Sequence, residues 1–207
     1  MKMLRILALG TLLGVMLTPG VQAQMELDVT PFAGGTFFLA DPPEQFRLGH
    51  GGDALLLEDG RFTDSFTMGV DIGLVWNETW ALEAMGSWIP TNLKARSGLS
   101  STADVNAFMY GLTALYYLPL DGAVDPFFGL GVGGETFDYA LAGVDTHHEW
   151  MGNVVAGIRF AVNDRFGLRL EARDCIARFD SGVSGVSDSW ENDLMATIGM
   201  SFRTSLR

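Results

Sequence analysis

The 207-residue chain has a single cysteine, Cys175, and so no means of closing an internal disulfide. An isolated thiol of this kind is best read as a small filler on a packed face. Long apolar runs are just as scarce. Beyond residue 23 no stretch approaches the 18 residues of a spanning helix. If the chain enters a membrane, only a closed barrel remains, because there every backbone group is satisfied between strands. Cations are few, 13 Lys and Arg against 25 Asp and Glu, for a formal charge of −12. That balance does not suit nucleic acid. No His-x-Ser pairing occurs either, since His50 precedes Gly51-Gly52 and His148 precedes Glu149-Trp150.

What is present begins with a secretory signal. Lys2 and Arg5 precede an apolar run from Ile6 to Leu17, which is broken by Pro19-Gly20 and followed by Val21-Gln22-Ala23. The run is too short to cross about 30 Å of hydrocarbon, and small residues mark a cleavage site. Residues 1–23 are therefore predicted to be a signal peptide and 24–207 one domain. Removing the two signal cations takes the formal charge to −14.

From about Glu26 to Phe202 apolar and polar residues alternate with period two, which is the strand signature. Eight strands are predicted near 26–39, 65–77, 79–90, 105–118, 126–139, 150–163, 165–178 and 191–203. Tight connections at 77–79, 120–125 and 163–165 alternate with longer polar ones at 40–64, 91–104, 140–149 and 179–190. Gly69, Gly73, Gly129, Gly131, Gly133, Gly157, Gly167 and Gly199 fall mostly on the polar face. Glycine packs nothing and costs entropy in a strand, so a water-exposed face has no use for it. A cramped lumen does, because small residues leave room for the few charged side chains. The apolar face then belongs outside, in lipid.

Aromatics gather near strand ends, among them Trp76, Trp80, Tyr116, Phe128, Phe166 and Phe202, as ring side chains do at headgroup interfaces. With the signal peptide, the stretch from Pro126 to Gly134 and a last strand closing on Phe202, the chain resembles the small eight-stranded outer-membrane barrels, the OmpA-transmembrane-domain and OmpX-like proteins. The resemblance implies an all-β, eight-stranded antiparallel up-and-down transmembrane β-barrel in the cell outer membrane. It also implies outer-membrane lipid, lipopolysaccharide and the barrel assembly machinery as partners. The loops are expected to meet any extracellular ligand, and no cofactor, metal or catalytic set is implied. Five residues follow Phe202, a departure from family members that end on the aromatic.

The lumen face carries Asp71, Glu83, Glu135, Arg159, Arg169, Glu171 and Arg173. Isolated charges in a narrow lumen are costly and paired ones are tolerated. Arg159 and Arg169 should lie opposite one another across the turn at Asp164, with Glu171 and Glu135 intervening. Either a plug of salt bridges or a gated ion path would use such a set, and an eight-stranded interior barely holds its own side chains. Gly129-Leu-Gly131-Val-Gly133-Gly134 matches a dinucleotide fingerprint in letters only, because no helix follows the glycines. His147-His148-Glu149 is the one metal-like cluster, yet neighbours in an extended segment point apart. The first long loop is acidic, with Asp41, Glu44, Asp53, Glu58, Asp59 and Asp64 against Arg47 and Arg61. Three other readings stay open: a small pore, a lipid A-modifying barrel enzyme and a soluble lipocalin-like barrel with the faces reversed.

Overall fold

A computed structural model describes residues 25–39, 45–48, 55–58, 60–94, 103–118, 120, 122–140, 146–179 and 189–206. The predicted signal peptide lies outside these residues. The described strands, in chain order, are β1 (Met25–Phe38), β2 (Gln45–Leu48), β3 (Leu55–Glu58), β4 (Arg61–Phe62), β5 (Ser65–Trp76), β6 (Trp80–Lys94), β7 (Ala103–Tyr117), β8 (Val124–Tyr139), β9 (His147–Ala161), β10 (Phe166–Phe179) and β11 (Ser189–Leu206). β1 and β5 to β11 are the eight staves, each antiparallel to its sequence neighbour. β1 closes the cylinder on β11, from Met25↔Leu206 to Phe38↔Asp193.

Turn chemistry sets the rim at which both ends of the barrel lie. Asn77 and Glu78 have φ of 54° and 59°, a left-handed pair in the three-residue connection between the register partners Trp76 and Trp80. Asn163 Oδ1 accepts from the backbone N–H of Arg165 and of Phe166, fixing the turn between β9 and β10. The other rim carries the four longer connections.

The faces sort as the alternation predicts. Phe66, Met68, Val70 and Ile72 on β5 and Ile198 and Met200 on β11 are exposed, and Leu130 and Val132 on β8 are 66% and 68% exposed. The eight glycines singled out above sit between the buried positions of their strands. Their smallness is required there. A Cβ on Gly131 would stand 2.6 Å from Thr113 Oγ1 and 2.7 Å from Asn153 Nδ2, its register partners on β7 and β9. Outside, Trp80, Tyr116 and Phe128 form a ring-to-ring row at the short-turn end, with centroids 4.8 and 5.5 Å apart. Phe166 and Phe202 continue it edge to face at 5.1 Å.

Three expected boundaries shift. β6 runs four residues past Pro90, because β5 has already left it beyond Met68↔Trp88 and a missing N–H is tolerated on such an edge. β11 continues to Leu206, so the residues after Phe202 complete the seam with β1. The connection at 40–64, expected as loop, contains the β2–β3 hairpin and β4, which pairs Arg61↔Lys94 and Phe62↔Leu93 on β6. Strands of two and four residues are too short for a period to register.

Candidate functional site: a layered lumen

Inward side chains form layers along the barrel axis. In the middle, β10 presents Arg169, Glu171 and Arg173 on one face, as period two requires. Across the lumen β6 presents Glu83 and β5 presents Asp71. Arg169 grips Glu83 with both forks, Nη1 to Oε2 at 2.5 Å and Nη2 to Oε1 at 3.1 Å, and gives Nη2 to Glu171 Oε2 at 2.5 Å. Arg173 donates Nε to Glu171 Oε1 at 2.9 Å and Nη2 to Glu83 Oε1 at 3.2 Å. Its Nη1 donates to Thr113 Oγ1 at 2.9 Å and to Asn153 Oδ1 at 3.2 Å. Asp71 lies 3.9 Å from the same guanidinium. Two cations and three carboxylates thus tie β5, β6, β7, β9 and β10 together. Bidentate arginine geometry suits this task, since one planar fork serves two acceptors.

Asp71, Glu83 and Glu171 are close enough to bind one cation, but the two guanidinium groups already stand among them. They satisfy Glu83 and Glu171, while Asp71 Oδ1 and Arg169 Nε are buried with no hydrogen-bond partner. Below it lies an apolar layer of Val75, Ala81, Leu115, Tyr117, Phe127 and Val155. Arg169 rests on the Phe127 ring, 4.4 Å from its centroid.

Arg159 does not join the middle layer. It pairs in register with Arg169, as expected, but points to the short-turn rim, where it meets Asp125 Oδ2 at 3.1 Å and Ser201 Oγ at 3.1 Å. Ser201 donates to Asp28, and Arg203 Nε donates to Asp28 Oδ2 at 2.8 Å. Arg203 also stacks on Tyr117, 4.9 Å from the ring centroid. This rim opens into a cavity of about 600 Å³ lined by Arg159, Arg203, Asp125 and Tyr117 among others. Asp28, Asp125, Ser201 and Arg203 had no part in the expected set. The signal was available for two of them. Asp28 and Arg203 are register partners once the first and last strands close the barrel.

Glu135 also departs from expectation. It does not intervene between Arg159 and Arg169 but sits toward the long-loop end, hydrogen-bonded to Asp193 and near Glu149 and Glu191. Alternation places a residue inside without giving its height, which depends on how the strands are staggered. Around these acids the lumen is apolar, with Met85, Ile89, Leu93, Val105, Met109 and Met195 buried. Phe62 of β4 turns inward and stacks on Phe137 at 4.9 Å, with the Phe38 ring tilted against it at 5.4 Å. Cys175 is fully buried in this layer, as a filler. In the histidine cluster, Glu149 is buried, while His148 is exposed and shares a 2.8 Å hydrogen bond with Thr136. The His147 side chain, His50 and most acids of the first long loop lie outside the described residues.

The family model described as "Outer membrane protein beta-barrel domain" matches residues 11–202. The chain belongs to that family. It is an outer-membrane β-barrel protein, which agrees with its greasy exterior and ringed aromatic rows. Among solved structures it is similar to the outer membrane protein OprG from Pseudomonas aeruginosa, with a TM-score of 0.56 and 16% identity over 90% of this chain and 99% of that one. Outer Membrane Protein W of E. coli aligns with a TM-score of 0.53 and 16% identity, over 89% and 100% of the two chains. Neisserial surface protein A gives 0.52 and 13%, over 86% and 96%. Identities this low speak to the fold. No curated protein matches the sequence significantly.

Proposed function

We propose that this protein is a closed, non-catalytic barrel of the outer membrane, serving envelope structure and contacts made by its four long loops. The observation that carries the reading is the central belt, in which Arg173 alone reaches side chains on β6, β7, β9 and its own strand. A group held from several walls acts as a cross-brace and fills the space that a conducting path would need. The aromatic stack of Phe62 on Phe137 closes the lumen again nearer the loops. The lumen charges Asp71, Glu83, Glu171, Arg169 and Arg173 would then hold the staves in register, and the loops would engage an extracellular ligand.

Planar bilayers test the plug. The folded protein should give no steady conductance. Steady current that changes on Arg169→Ala would replace the plug by a pore. Incubation with lipopolysaccharide should leave acyl-chain number unchanged by mass spectrometry, and a changed profile would make the barrel a lipid A enzyme.

A further inference from the structure

Inside the barrel, toward its long-loop end, lie Glu135 of β8, Glu149 of β9, and Glu191 and Asp193 of β11, all buried. Glu135 and Glu149 are register partners, so like charges stand directly across a strand pair. Glu135 is 1% exposed and Asp193 3%. They come from strands that do not pair, and they meet across the lumen in a hydrogen bond. Two carboxyl groups can share such a bond only with a proton between them. Their immediate surroundings supply no strong donor. Met109 lies opposite Glu135 on β7, Met195 is the next inward residue below Asp193, and Cys175, opposite Asp193 on β10, has only a thiol. Arg173, one layer further down, directs its donors to Glu171, Glu83, Thr113 and Asn153. Buried negative charge is costly without a positive partner. In the central belt two guanidinium groups fill that role.

A second observation does not depend on the carboxylates alone. Tyr139 points inward, is 5% exposed, and its hydroxyl has no hydrogen-bond partner. The carboxylates acting on that hydroxyl are those of Glu149, Glu191 and Glu135. Glu135 Oε1 is also buried without a partner. Glu149 and Glu191 have contacts of their own, and the site does not call on them as ligands. The unmet groups are a phenolic and a carboxylate oxygen, beside a carboxyl pair that already needs one positive charge to exist. A buried water could bond to these oxygens but would bring no charge. A cation would bring both.

We propose that the loop-side end of the lumen holds one Ca²⁺ ion, bound by the carboxylates of Glu135 and Asp193 with the Tyr139 hydroxyl beside them. Ca²⁺ accepts oxygen ligands in a flexible geometry, whereas Mg²⁺ demands a near-octahedral cage and gives up its waters reluctantly. Side chains reaching across from separate strands form no rigid cage, and each carboxylate can offer both oxygens, which favours Ca²⁺. The ion takes the place of the shared proton, so a proton leaves as it enters. It also braces β8 to β11, two staves that the central belt leaves out. The site lies above that belt and stands whether the belt is a plug or a path.

The test uses the folded mature barrel in detergent, refolded without lipopolysaccharide so that no lipid carries ions, and stripped with EDTA. Calcium chloride is titrated by calorimetry in buffers of different ionisation enthalpy, which counts protons. One Ca²⁺ should bind, with release of about one proton. Mg²⁺ should bind at least tenfold more weakly. Glu135→Gln and Asp193→Asn should each lower Ca²⁺ affinity at least tenfold, and either one supplies the test should the other fail to fold. Tyr139→Phe, which keeps the ring and removes the oxygen, should lower it at least twofold. Gel mobility before boiling verifies folding of every variant in EDTA. Added Ca²⁺ should raise the temperature at which the parent's folded band is lost and leave that of the two carboxamide variants unmoved. Glu78→Gln, exposed at the short-turn rim, should change affinity less than twofold. Binding without proton release, equal affinity for Mg²⁺, Ca²⁺ affinity that survives in the carboxamide variants because acids elsewhere hold the ion, or no binding at all would each overturn the proposal.

Discussion

The middle of the lumen and its loop-side end are packed by opposite means. In the middle, directional bonds from Arg169 and Arg173 span the barrel, and each carboxylate there has a guanidinium beside it. Toward the loops, rings and methionines pack around the buried acids Glu135, Glu149, Glu191 and Asp193, and Phe62 comes in from a two-residue strand. The difference follows from reach. The middle can be braced only by what the staves themselves carry, so it must satisfy its own charges. The loop end can borrow a side chain from a connection.

That contrast can be broken at its strongest point first. Arg173→Met removes one cation and leaves buried carboxylates short of a partner, a change expected to cost about 3–5 kcal/mol. Urea unfolding in vesicles, followed by the heat-modifiable band, reads the loss. A variant as stable as the parent would mean the belt braces nothing. Next comes the wall outside the belt. Ile198 is half exposed to lipid, and Ile198→Arg should cost about 2–4 kcal/mol. The same change at Gly199, one residue on, instead crowds the interior, where an added Cβ already meets Thr30 Cγ2 at 2.7 Å. Small and equal losses at the two sites would dissolve the assignment of faces.

At the loop end, Phe62→Ala should cost about 1–2 kcal/mol, within the usual range for a point change. It should also uncover the apolar layer. Cys175, inert to a soluble thiol reagent in the parent, should then label readily, and an unchanged thiol would mean that Phe62 caps nothing. The smallest effect is expected at the rim. Asp125 is partly exposed, so Asp125→Asn should lower stability by under about 1 kcal/mol. A larger loss in the same unfolding assay would make the rim a second brace.

Strand number, closure and facing were legible in the residues, because alternation, turn chemistry and glycine placement all point one way. The glycine row was informative for a physical reason. Interior Cβ atoms of a narrow barrel converge, and Gly131 and Gly199 stand where a side chain would collide. Charge partners were only half legible. Arg169, Glu171 and Arg173 come together on one strand, and Glu83 and Asp71 reach them, but Arg159 and Glu135 belong to other heights. Residue order carries no stagger, so two inward charges can be read as facing without being level. Asp28 with Arg203 was findable from the closing seam alone, where register sets opposite charges side by side. The β4 contribution was beyond reach, since nothing in Arg61-Phe62 announces that a loop will turn back and fill the mouth.

The central claim is a barrel whose lipid and lumen faces alternate residue by residue. A cysteine scan from Leu194 to Phe202, in a Cys175→Ala background carrying spin labels in lipid vesicles, tests it most directly. Labels at 194, 196, 198, 200 and 202 should collide with dissolved oxygen in the acyl region, while those at the intervening positions should be shielded and tightly packed. Accessibility without that two-residue rhythm, or even-numbered sites open to water, would contradict it.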